Sequence, residues 1–235
     1  MTGWSAATRD LTAIGINAQP TILGDGRSAV QRGKSIRIES ILVNVLVSLF
    51  YGFFLYSSVK FWLNTGSPVG MGLIVFNTLS VACLLTRRNA SIVTASVPNW
   101  ILASLTQVAP FLLRPVGSSI GTLVLISSAG QIAALAFMIA SLTVLNRSIG
   151  IVAANRGIKT RGPYAWIRHP LYAGEILFDL SFLISNWSYL NGLLIFVFTF
   201  SQIVRSLQEE RLLVRDERYL LYRAAVPYRL VPGVF

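Results

Sequence analysis

The residues with the greatest capacity for chemistry lie between positions 162 and 179. His169 is the single histidine of the 235-residue chain and sits within Arg168-His169-Pro170-Leu171-Tyr172. Tyr172, Glu175 and Asp179 then recur at spacings of three and four, which puts them on one face of a helix. The rest of Leu171 to Asn186 is apolar. A carboxylate inside a bilayer costs at least ~2.5 kcal/mol, so such groups face a cavity or a partner. One alternative places Glu175 just inside the membrane interface, paired with Arg168 or the C-terminal arginines. Asp179, a turn deeper, is harder to explain in that way.

Glu209-Glu210 is a second acidic pair. Neighbouring helical residues diverge by about 100°, so one of the two can face a shared pocket while the other pairs with an arginine. The plainer reading is a solvated charged helix flanked by Arg205 and Arg211. A helical hairpin before them would return Glu209 and Glu210 to the neighbourhood of Arg168 and His169. Pro170 suits the first turn of a helix, so His169 can also be a cap or a buried hydrogen-bonding residue. No second histidine or cysteine lies near it, which argues against a metal site. Neither a dinucleotide or phosphate-binding glycine motif nor a serine-hydrolase elbow is present.

Composition defines what must position these groups. The chain is 54% hydrophobic and 12% charged, against about a quarter charged in soluble domains, so it reads as an integral membrane protein. Cys83, the single cysteine, excludes an intrachain disulfide and reads as a small core residue. Residues 1–35 hold no signal-peptide-like apolar run and are expected to be a cytoplasmic tail before an uncleaved first span. Ser40 to Val59 is uncharged and long enough to cross, with Trp62 at its far end. Asn64 to Pro68 forms a turn, and Val69 to Thr86, Pro98 to Leu113 and Ser118 to Leu145 complete a four-helix scaffold over 36–145. Gly117 and Gly121 form a small-xxx-small pair suited to close helix approach.

Asn146 to Pro170 is a polar, basic insert. Leu171 to Asn186 and Trp187 to Val204 form a tight membrane hairpin whose tip, Asn186 to Tyr189, meets the far interface. A charged cytoplasmic helix to about Tyr222 and an extended tail through Pro227 and Pro232 follow. With six crossings, eighteen of the twenty Lys and Arg fall on one side, Lys60 and Arg114 being the exceptions. The positive-inside rule puts that side, with both termini, in the cytoplasm. Nucleic acid is not an expected partner despite the net charge of +11.

Gly162-Pro163-Tyr164, the Arg168–Gly174 run, the hydrophobic hairpin, Glu209-Glu210, Tyr219, Tyr222 and Arg229-Leu230-Val231-Pro232 resemble the isoprenylcysteine carboxyl methyltransferase family. The wider group that they resemble includes phospholipid N-methyltransferases. Asn146-Arg147-Ser148 and Asn155-Arg156-Gly157 extend the match over about residues 145–235, while the first four helices match only in being hydrophobic.

The uncharged runs and the charge asymmetry make the expected fold an all-α, polytopic membrane bundle of about six transmembrane helices. The resemblance implies that residues 146–235 form a methyltransferase core with a cytoplasmic C-terminal region that binds S-adenosylmethionine. It places Tyr164, Arg168, His169, Pro170, Tyr172 and Gly174 around the cofactor, with Glu209 or Glu210 accepting hydrogen bonds from its ribose or amino group. Tyr222 and Arg229 would close the site from the tail. A lipid-like or prenylated acceptor would enter from the bilayer. Arg168, Glu175 and Asp179 are the candidates for a direct part in catalysis. Anionic nucleophiles need only alignment, whereas an ammonium must first lose a proton, a task for Glu175 or Asp179. Carboxyl O-methylation of an isoprenylcysteine-like compound is the first expectation. Phosphatidylethanolamine N-methylation, thiol S-methylation, an NADPH-dependent sterol-type reductase and a non-catalytic scaffold are the alternatives.

Overall fold

Two prolines and a few short polar caps set where the helices begin. The computed structural model of the chain describes residues 49–86, 92–93, 106, 110, 112–149, 154–155 and 157–235. The expected N-terminal tail lies outside the described residues, as do residues 40–48 of the first span and most of the third. Helix α1 covers 49–65 and continues past Val59, so Trp62 lies within it rather than beyond its end. Gly66 turns the chain at φ 63°, and Pro68 occupies the first turn of α2, Pro68–Leu85. Helix α3 is Gly121–Leu145, continued by a 3-10 turn at Asn146–Ser148. A two-residue antiparallel pairing, Ile92–Val93 with Ala154–Asn155, is the one departure from helix pairing among the described residues.

Pro170 opens α4, Pro170–Ser185, and a Ser188 cap that accepts from the Asn191 amide opens α5, Tyr189–Leu213. The sequence predicts that the membrane helix stops at Val204, where charges begin. Instead α5 runs unbroken to Leu213, because Arg205, Glu209 and Glu210 each find partners on neighbouring segments. The break falls at Val214–Asp216, where Asp216 accepts from the Arg218 amide at 3.0 Å and starts α6, Glu217–Ala225.

Pro68–Leu85, Gly121–Ser148 and Tyr189–Leu213 are long and apolar enough to cross a membrane. At 16 residues α4 is shorter than these. All described residues lie in one compact unit, Val43–Phe235, so the expected scaffold and core segments pack against each other. Helix α3 is the centre of that packing, touching both α2 and α4. Val69, Phe76, Leu84, Leu135, Met138 and Leu142 form its apolar contact with α2. Against α4 the helices approach closely at Gly130, where a Cβ would meet Ser181 Oγ at 2.5 Å, and at Gly174, where it would meet Met138 Cγ at 2.5 Å. The Gly117 and Gly121 pair does not serve this purpose, since both face open space.

Polar contacts add to the helix pairing. Ser127 donates to the Ser181 carbonyl at 2.7 Å and accepts from Gln131 and Ser185. Asn191 binds the amide and carbonyl of Arg114 at 3.0 and 2.8 Å, tying the segment before α3 to the hairpin tip. Trp187 and Tyr189 project from that tip, 66% and 92% exposed.

Candidate ligand site

The 3-10 turn Gly162–Ala165, the start of α4, the end of α5 and α6 converge on Glu210. Its carboxylate accepts from Arg168 Nε at 2.8 Å and from Arg229 Nε and Nη2 at 3.0 and 2.9 Å. His169 Nε2 lies 3.2 Å away. Arg168 also donates to the carbonyls of Val226 and Pro227 at 2.8 and 2.6 Å. The amides of Arg168 and His169 donate to the Tyr228 and Arg229 carbonyls, both at 3.0 Å. Arg168 and Glu210 thus clasp the C-terminal tail against the loop before α4. Both are almost wholly buried, so the pair depends on this complete set of partners. Arg229 lies over the Phe235 ring, and the Phe235 carbonyl accepts from the amides of Arg229, Leu230 and Val231.

Glu209 points elsewhere, as the divergence of neighbouring helical side chains requires. It accepts from the Tyr172 hydroxyl at 3.0 Å and lines a cleft of about 90 Å³. Tyr164, Arg168, His169, Tyr172, Tyr219 and Tyr222 share that cleft with Lys159 and the 3-10 turn after α3. The His169 and Tyr172 rings are stacked, 5.5 Å apart and 3° from parallel. Tyr222 donates to the Tyr164 carbonyl at 2.7 Å, and burial pushes its phenol above the usual range, keeping it a neutral donor. Burial acts on Tyr164 and Tyr219 in the same direction. The buried Tyr219 hydroxyl has no hydrogen-bond partner among the described residues.

Four expected cofactor contacts stand outside this cleft. Pro170 is packed into the start of α4, and Gly174 faces Met138 instead, its missing side chain allowing α3 to approach. Glu210 and Arg229 are consumed by the clasp.

Glu175 and Asp179 line a second cavity, of about 500 Å³. Its walls are largely apolar, including Phe54, Phe76, Phe178, Phe182 and Phe198. Gln202 donates to Glu175, and Arg205 donates to the Gln202 carbonyl oxygen at 3.0 Å and to Thr106 at 2.9 Å. The Arg205 guanidinium also sits 5.0 Å over the Tyr172 ring, so the two cavities adjoin at this contact. Lys159, Gln202, Arg205 and Tyr219 join these sites without having been singled out as candidates. Gln202, a lone amide three residues before an arginine in an apolar run, is the signal for the α5 pair. Lys159 carries no such mark within a generally basic insert.

Comparison with protein-family models and with curated proteins finds no match for this chain.

Proposed function

We propose that the chain is an S-adenosylmethionine-dependent membrane methyltransferase acting on an amphiphilic acceptor. The observation that carries this reading is the cleft shared by Glu209, the stacked His169–Tyr172 pair and the Tyr219 hydroxyl, which has no partner among the described residues. An ionised carboxylate is a fitting acceptor for ribose or amino donors, and flat aromatic walls suit an adenine ring. Lys159 offers a cation for the ligand's carboxylate. The donor set fits the cofactor. The volume is small, about 90 Å³ against about 300–1,000 Å³ for drug-sized ligands, so ligand entry requires the cleft to widen. Bound there, the sulfonium would supply a methyl group for in-line displacement.

The chain's own residues would divide the work. Glu209 and Tyr172 orient the ligand, and the Arg168–Glu210–Arg229 clasp holds the tail that shapes the cleft. Arg168 is then a positioning residue, its guanidinium already committed to the clasp. Tyr172 and Arg205 meet where the two cavities adjoin, and exclusion of water there would favour a reaction that consumes charge. The resemblance points to a carboxylate acceptor of isoprenylcysteine type, entering from the bilayer at the cytoplasmic face. A second reading, methylation of an amine head group, is favoured by Asp179, which would repel a carboxylate.

Titration of S-adenosylhomocysteine into the full-length protein in lipid nanodiscs tests the proposal. Saturable binding is expected, weakened about tenfold or more by Glu209→Gln, the loss of one charge-assisted hydrogen bond. Binding of NADPH without S-adenosylhomocysteine would replace this reading with the reductase.

A further inference from the structure

The apolar cavity contains an electrostatic imbalance. Among the described residues, two carboxylates, Glu175 and Asp179, and one guanidinium, Arg205, line it. Glu175 has Gln202 as a donor, and Arg205 is engaged by Gln202, Thr106 and the Tyr172 ring. Asp179 is 5% exposed, yet its carboxylate has no hydrogen-bond or ion-pair partner among the described residues. Its one charged neighbour on the same helix face, Glu175 one turn earlier, carries the same sign. An ionised carboxylate so placed must either take up a proton or gain a counter-charge and donors, which a ligand brought into the cavity can supply.

We infer that this cavity binds an amphiphile with a protonated amine head, Asp179 serving as the counter-ion. The phenylalanine walls take the hydrocarbon chain, and the volume of about 500 Å³ lies within the about 300–1,000 Å³ range of ligand sites. An ammonium supplies both the missing charge and the missing donors. A carboxylate would meet Asp179 and Glu175 with like charge, and Arg205, the one cation among the described residues that line the cavity, is already committed. An alcohol donates a hydrogen bond but leaves the charge uncompensated. The inference rests on the methyltransferase reading only in casting this amphiphile as the methyl acceptor; the binding site itself follows from the cavity.

The test uses full-length protein in lipid nanodiscs at neutral pH with a photoreactive long-chain amine. Labelling should map to α4, at Phe178 or Phe182. Dodecylamine should compete about tenfold better than dodecanoic acid or dodecanol, the scale of one charge-assisted contact. Asp179→Asn should abolish that preference, and Asp179→Glu should restore part of it. Equal competition by the three amphiphiles in the wild-type protein, or an amine preference that survives Asp179→Asn, overturns the inference. If the Asn variant does not fold, the wild-type selectivity decides alone. S-adenosylhomocysteine binding on the same preparation separates the two ideas. Amine selectivity without cofactor binding sustains this site and refutes the methyltransferase, while cofactor binding without amine selectivity does the reverse.

Discussion

Glu209 and Glu210 are adjacent in sequence and opposite in role. Glu210 is surrounded by Arg168, Arg229 and His169, and its neighbour faces a cleft where the Tyr172 phenol lies at 3.0 Å and His169 Nδ1 at 3.8 Å. Removing the Glu210 charge leaves two guanidinium groups without their shared counter-ion, which costs about 3–5 kcal/mol for a buried pair. Glu210→Gln should therefore lower the denaturation midpoint strongly, and Glu209→Gln by no more than about 1 kcal/mol. Comparable losses in the two variants, measured by chemical denaturation, would contradict this division. Tyr222 carries a pH signature. Burial raises its phenol above the unfolded value of about 10, so its contribution to stability is constant below about pH 10 and declines as the pH rises further. Tyr222→Phe should flatten that alkaline decline in a denaturation series.

At the scale of elements, close packing of α3 on α4 rests on two missing side chains. Leucine at Gly174 or valine at Gly130 would occupy space held by Met138 or Ser181 and should cost about 1–3 kcal/mol. Gly121→Leu, facing open space, should be nearly neutral in the same measurement. The contrast separates packing from helix propensity, since every substituent is a better helix former than glycine.

Helix existence was legible from uncharged runs such as Val69 to Thr86, because a membrane-length apolar segment has few alternatives. The meeting of Arg168, His169 and Glu210 was legible as well, because a hairpin brings its two ends together. The uninterrupted course of α5 was not. Charge at Arg205 reads as an exit from apolar surroundings unless Thr106 and Gln202 are known to receive it. The displacement of Gly174 from the cleft follows from the spacing, since Tyr172 and Gly174, two residues apart, point to roughly opposite sides of the helix and α3 claims the glycine's side.

For the whole molecule, three described helices have the length and hydropathy to cross a bilayer. The basic asymmetry of the sequence predicts that the α4–α5 tip and the segment after α5 lie on opposite sides. Cys83 is the single native cysteine and is buried, so a Cys83→Ala background gives a clean start. Cysteines at Ser188 and Arg215 should then react with an impermeant maleimide from opposite faces of oriented vesicles. Labelling of both from one side would require a re-entrant α4–α5 hairpin.

The Tyr172 ring, with the Arg205 guanidinium over it, lies where the aqueous cleft meets the greasy chamber. This contact therefore forms part of the boundary between them. Trimming that phenol to a methyl group would open a wet duct into the bilayer-level interior, and a polarity-sensitive dye lodged there should shift towards its spectrum in water.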